Sequence, residues 1–270
     1  MLRLRILTAA VLICLLLLVF FVLPARWTMW AFCTVLSIGA WEWARFGGLR
    51  AAPTRLAYAG AMALLWLGAW YWSFEPHHLL VLLGLACAWW SAAFLWLLLG
   101  PDRHHGGLAL LCGVPVLVPA FVALARLETS GHGSFRGPGI VLWLLLIVIA
   151  SDIGAFFAGR AFGKHKLAPR VSPGKTWEGV FGGLAATALV ACAAASYYRL
   201  PFVPCIAFAC AVGVFSVVGD LTESMFKRAA GLKDSGALLP GHGGMLDRID
   251  SVTAAAPLYA LGLFGSGVIA

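Results

Sequence analysis

Charged side chains are scarce in this chain, at 11% of 270 residues against 62% hydrophobic. So few charges cannot give a water-soluble core a polar coat, which excludes an ordinary soluble domain. No C-x-x-C pair occurs. The seven cysteines (Cys14, Cys33, Cys87, Cys112, Cys192, Cys205 and Cys210) fall within apolar stretches, where they read as small packing residues and not as metal or disulfide sites. Internal repeats and low-complexity linkers are also missing. Acidic residues number only eleven, and seven of them follow residue 150: Asp152, Glu178, Asp220, Glu223, Asp234, Asp247 and Asp250.

What the chain has in abundance is apolar runs long enough to cross a bilayer, for which about 20 residues suffice. Spans are expected near Ile6 to Leu23, Trp27 to Phe46, Leu56 to Ser73, Leu79 to Gly100, Leu108 to Leu127, Gly139 to Phe157, Val180 to Tyr198, Phe202 to Gly219 and Val252 to Val268, nine in all. The fold class is therefore all-α, a polytopic membrane helical bundle with a polar, cytoplasm-facing cleft. The first run follows Arg3 and Arg5 but is long for a signal peptide and lacks an A-x-A-like cleavage site, so it reads as a retained helix.

With the N-terminus inside, fifteen Lys and Arg fall on inside segments and four on outside loops, which sets the orientation. The net charge of +8 is then mostly a topology signal, with anionic headgroups as natural neighbours and no nucleic-acid partner. Trp27, Trp72 and Trp177 suit interfacial positions. Trp41, Trp66, Trp89 and Trp90 read as lipid-facing or packing residues, and Glu42 as a residue at a span boundary.

Ionisable groups at membrane depth are costly, so their positions suggest function. Asp152 and Asp220 are expected at the cytoplasmic ends of their helices, where a carboxylate opposes the macrodipole and a bound cation would relieve the conflict. Asp152 can equally mark where a helix meets water. Asp220, Glu223, Ser224, Lys227 and Arg228 share one helical face. Lys233-Asp234 follows, then the glycine-rich turn Pro240-Gly241-His242-Gly243-Gly244 and Asp247-Arg248-Ile249-Asp250. Glycines let backbone N–H groups approach an anion, and Lys and Arg neutralise phosphate. Carboxylates beside such a turn suit Mg²⁺, which prefers a few carboxylates plus phosphate oxygens, and a second metal ion is compatible with the pattern. Gly174-Lys175-Thr176 ends like a P-loop, but Pro169 stands where that motif needs glycine. Ser172, Lys175 and Thr176 still combine a cation with hydroxyl donors. A transporter would place carboxylates mid-span in both halves, unlike the clustering here.

The run from Ser224 through Lys233-Asp234 to Leu239-Pro240-Gly241-His242-Gly243-Gly244-Met245-Leu246-Asp247-Arg248-Ile249-Asp250 closely resembles the signature of phosphatidate cytidylyltransferases, or CDP-diacylglycerol synthases. A second block, Ser151-Asp152 through Arg160 and on to Ser172-Pro173-Gly174-Lys175-Thr176-Trp177-Glu178-Gly179, is similar to that family's other typical stretch. The resemblance covers roughly residues 151 to 251; before it, only hydropathy and Trp41-Glu42-Trp43 are shared.

It implies Mg²⁺-dependent transfer of a cytidylyl group from CTP to phosphatidate, at the inner membrane of a bacterium. Residues 1–137 would then be scaffold and 138–270 the catalytic region, with motif loops 151–179 and 220–251. The catalytic set it implies is Asp220, Lys227, Arg228, His242, Asp247, Arg248 and Asp250, with Asp220, Asp247 and Asp250 on metal. Ser172, Lys175, Thr176, Ser224, Lys233, Asp234, Gly243 and Gly244 would bind substrate. A homodimer is compatible with this reading.

Overall fold

The computed structural model describes residues 18, 22, 25–99, 106–130, 137–239, 241 and 243–269. Eight helices appear among them: α1 (Ala25–Trp43), α2 (Ala52–Trp72), α3 (Pro76–Leu99), α4 (Gly106–Thr129), α5 (Gly137–Phe162), α6 (Trp177–Tyr198), α7 (Phe202–Ala229) and α8 (Leu246–Gly265). Five of them, α3 to α7, are long and apolar enough to cross a membrane. The other three run 19 to 21 residues and are less uniformly apolar. The expected first span, Ile6 to Leu23, lies outside the described residues apart from Leu18 and Val22.

Backbone polar groups in hydrocarbon must pair within the chain, which makes helices the default. α4 is the bundle's central member, with 72% of its most apolar window buried against 28–33% for the other four. It carries Pro115 and Pro119 in its interior, tolerable where neighbouring helices enclose the freed carbonyls. Around it stand α1, α2, α3, α5 and α8. Large apolar side chains such as Leu64, Leu85, Leu98, Phe157 and Leu189 stay exposed on the outer helices, as a lipid-facing surface requires.

α5 and α6 form the closest helix pair, and small residues explain it. A Cβ on Gly154 would stand 2.5 Å from the Gly182 carbonyl oxygen, and one on Gly183 would stand 2.7 Å from that of Ser151. Without a hydrophobic drive between helices in lipid, such close approach supplies the packing energy.

The described residues are mostly helical, as expected, with one unexpected element: β1 (Lys166–Ala168) and β2 (Ser172–Thr176) form an antiparallel hairpin with Lys166 opposite Thr176 and Ala168 opposite Ser172. The expected helix ends change. Neither Asp152 nor Asp220 ends its helix, since α5 continues to Phe162 and α7 to Ala229. The macrodipole conflict supposed for them is therefore absent. α8 begins at Leu246, so Asp247 lies in its first turn, where a carboxylate suits the dipole.

Gly154→Val should lower the thermal midpoint in detergent, by the equivalent of about 1–3 kcal/mol for overpacking. Gly60→Ala, where an added Cβ meets nothing within 4 Å, should leave it nearly unchanged. Equal shifts in the two variants would count against a close α5–α6 crossing.

Candidate active site

The hairpin delivers one side of the site. Thr176 caps α6, its Oγ1 accepting from the Gly179 N–H at 3.1 Å. The Trp177 N–H donates to the His165 carbonyl at 3.0 Å, so strand and helix continue without slack. Glu178, one residue into α6, closes the hairpin: it accepts from the His165 N–H at 3.2 Å and meets the His165 Nδ1 at 2.7 Å. Lys175 is thereby aimed at α7, its Nζ 2.6 Å from Asp220 Oδ2.

That pair borders a cavity of about 440 Å³. Asp152, Arg160, Lys175 and Asp220 give it a polar end, and Phe156, Val180 and Val217 give it apolar walls. Phe156 is 60% exposed, so this wall continues into the outer apolar surface. Asp220 lies within electrostatic range of both Asp152 and Asp250, and Arg248 within range of Asp152. Ser224 donates to Asp220 Oδ1 at 3.3 Å. Gly174, Lys175 and Thr176 are strand residues feeding α6 directly, a geometry unlike a P-loop.

A second polar cluster lies where α7 meets α8. The Lys227 ammonium stands 2.6 Å from Asp247 Oδ1 and 3.1 Å from Glu223 Oε1, with all three side chains largely buried. Unpaired, any one of these charges would be prohibitive. The other Asp247 oxygen accepts from the Gly244 N–H at 2.8 Å, the Ser235 N–H at 3.0 Å and the Ser235 hydroxyl at 3.0 Å. One carboxylate thus ties Ser235 to Gly244. Gly243 has φ +81°, and a Cβ there would press on Asp247 at 2.8 Å. Leu239 donates to the Gly243 carbonyl at 2.9 Å and closes the turn.

Glu42 completes this cluster from α1: it stands at the helix end, as expected of a boundary residue, but is buried against the turn. It is only 3% exposed, and its Oε2 accepts from the Leu246 N–H and the Ser235 hydroxyl, both at 2.8 Å. The single Ser235 proton can serve Glu42 or Asp247, one at a time. Arg45, three residues on, donates to the Ser235 carbonyl at 2.6 Å. A glutamate between two tryptophans, one of them buried Trp43, was the only sequence signal for this contact.

The remaining expected residues divide. Arg228 is exposed and donates to the Val171 carbonyl at 3.4 Å and the Leu232 carbonyl at 3.3 Å, bracing the hairpin loop against the end of α7. Lys233 and Asp234 are exposed on the turn, and Arg248 is exposed at the start of α8. Ser172 is half-buried, paired in register with Ala168. Asp250 is half-buried and accepts from the Ser251 N–H at 2.7 Å. His242 lies outside the described residues, as does Pro240. Among the described residues no three His, Cys, Asp or Glu side chains converge closely enough to hold a metal by themselves. Asp152 was weighed as a boundary residue or a site residue, and it lines the cavity.

Glu42→Ala strands the buried Leu246 N–H, while the Ser235 hydroxyl can turn to Asp247, so it should cost about 1–3 kcal/mol and speed amide exchange at Leu246. Glu42→Gln keeps an acceptor and should cost less. Unchanged exchange at Leu246 in the alanine variant would remove Glu42 from this role. Lys227→Met should destabilise by about 3–5 kcal/mol, because two buried carboxylates lose their counter-ion. Adding Glu223→Gln should recover part of that loss in a double-mutant cycle.

Comparison with known proteins gives a consistent result. The model of the cytidylyltransferase family matches residues 3–264. The chain is 43% identical over 274 residues to the phosphatidate cytidylyltransferase of Pseudomonas aeruginosa, covering 99% of this chain and 98% of that protein. It is 40% identical over 282 residues to the Haemophilus influenzae protein of the same name, covering 96% and 98%. The Helicobacter pylori counterpart is 36% identical over 234 residues, with 81% of each chain covered.

Proposed function

Because this chain belongs to the cytidylyltransferase family, we propose that it is a membrane-embedded enzyme converting CTP and phosphatidate to CDP-diacylglycerol and pyrophosphate in phospholipid biosynthesis. The observation that carries the reading in physical terms is the Lys175–Asp220 cavity, polar at one end and continuous with the lipid-facing surface at the other. A substrate with an anionic head and two acyl chains needs that combination.

In the reaction a phosphatidate phosphate oxygen bonds to the α-phosphorus of CTP. The bond from that phosphorus to the bridging oxygen breaks, and pyrophosphate leaves with the electron pair. The attacking phosphate is already deprotonated at neutral pH, so positioning and charge neutralisation supply most of the catalysis. Lys175 can exchange Asp220 for a phosphate oxygen, and Arg248, whose charge acts on Asp152, adds to the positive field there. Arg228 and Lys227 act differently in this reading, fixing the hairpin loop and the 235–244 turn.

The donor set fits a hard cation at Asp220, with Asp250 and Asp152 alongside, since Mg²⁺ takes one or two carboxylates and completes its shell with phosphate and water. Asp247 can join only by exchanging its Lys227 ion pair. Such an ion would neutralise triphosphate charge. The fifteen-to-four distribution of basic residues supports a bacterial plasma membrane location with the N-terminus and the site on the cytoplasmic side.

The test supplies purified protein with phosphatidate, α-labelled CTP and Mg²⁺. Labelled CDP-diacylglycerol and pyrophosphate should form, vanish with chelator, and fall on the order of a hundredfold or more in Asp220→Asn and Lys175→Gln. Labelled CDP without labelled lipid would replace the reading with a lipid kinase.

A further inference from the structure

A second cavity, of about 490 Å³, opens where the ends of α1 and α7 meet the start of α4, and Arg45, Arg50 and Arg55 line it. In the sequence these arginines serve only to orient the chain, but the fold gathers them around one space. We propose that this cavity is a phosphate-binding subsite, separate from the Asp220 cavity, which takes the phosphate of an anionic lipid headgroup or of a soluble pyrophosphate-bearing ligand.

Its walls are two helix ends of the same design. After α1, the Leu49 N–H donates to the Ala44 carbonyl and the Gly48 N–H to the Arg45 carbonyl, with Gly48 at φ +81°. After α7, Leu232 donates to Lys227 and Gly231 to Arg228, with Gly231 at φ +71°. Both are left-handed caps that consume the last carbonyls. Basic residues beside helix C-termini often do no more than offset the dipole, so the charges must be weighed. Two C-termini contribute about −1 in all, the N-termini of α2 and α4 about +1, Glu42 −1 and the guanidiniums +3, which leaves about +2 among the described residues.

The side chains carry little internal compensation. Among the described residues none of the three arginines is ion-paired. Arg45 spends one terminal nitrogen on the Ser235 carbonyl. Arg55 stacks over Trp41, 4.2 Å from its ring centre, and spends Nε on the Trp41 carbonyl at 3.0 Å, leaving its terminal nitrogens without a described partner. Arg45 and Arg55 lie in each other's field, and Glu42, which offsets part of it, is hydrogen-bonded to Ser235 and Leu246 and makes no ion pair with either arginine. Rigidly held guanidinium forks with net positive charge are suited to phosphate. Along α7 the cavity's Ala229 stands nine residues beyond Asp220, about 14 Å at the helical rise, which keeps the two sites distinct. Arg45 links this cavity to the ion-pair cluster between α7 and α8, because it holds the carbonyl of the residue whose N–H and hydroxyl hold Asp247.

The experiment uses the full chain in phosphatidylcholine nanodiscs with chelator present, on a Lys175→Gln background that disables the first cavity. Inorganic pyrophosphate is titrated by calorimetry, and phosphatidate retention is read by native mass spectrometry. One of the two should still bind, weaken with added salt, and lose about tenfold in affinity on adding Arg50→Gln. Arg50 makes no described contact, so its variant should fold, and Arg45→Lys tests the fork with charge retained. Pyrophosphate binding assigns a soluble ligand, and phosphatidate retention assigns a headgroup. Loss of all binding in Lys175→Gln alone, or affinity indifferent to both arginine variants, would overturn the subsite. Turnover is measured separately, so absence of cytidylyl transfer would refute the proposed reaction without touching this inference.

Discussion

One buried ammonium organises the junction of α7 and α8. Lys227 stands there between Glu223 and Asp247, where charge without a partner is prohibitive. The pairing fixes the rotation of both helices, and Asp247, held by it, ties Ser235 to Gly244 through three further donors. Trp43 packs on the adjacent Phe226 with ring centres 5.1 Å apart and donates to the Ala109 carbonyl, tying α1, α4 and α7 into the same knot. Glu42 then reaches the turn from a position that this packing sets.

How much of this could be read in the residues depended on the range of each interaction. The apolar runs placed most helices, because satisfying backbone polar groups in lipid is a local problem. The face shared by Asp220, Glu223, Ser224 and Lys227 was legible for the same reason, as helical geometry alone produces it. The hairpin was not: Ser-Pro-Gly-Lys-Thr has no alternating pattern, and its pairing rests on Glu178 clasping His165, thirteen residues away. Glu42 was harder still, since its partners are Ser235 and Leu246, about two hundred residues on. Helix ends were misjudged at Asp152 and Asp220 because hydropathy falls where polar groups enter, while the helix carries on through them.

The motif residues consequently separate into two physical kinds. Asp220 and Lys175 face an open cavity and can change partners; Lys227 and Asp247 are enclosed and hold a turn in shape. The family resemblance implied the same metal-binding role for Asp220 and Asp247, and burial distinguishes them.

The continuity of β2 with α6 has a mechanical consequence. Lys175 is cast onto the end of a membrane helix that shares a small-residue seam with α5, so its ammonium follows that helix pair as one lever. Helices respond to a bilayer thicker or thinner than their apolar length by tilting. Asp220 belongs to a different helix with its own tilt. Unequal tilting of the two helices would change the separation of the two groups, and the site's geometry would then follow the thickness of the membrane around it.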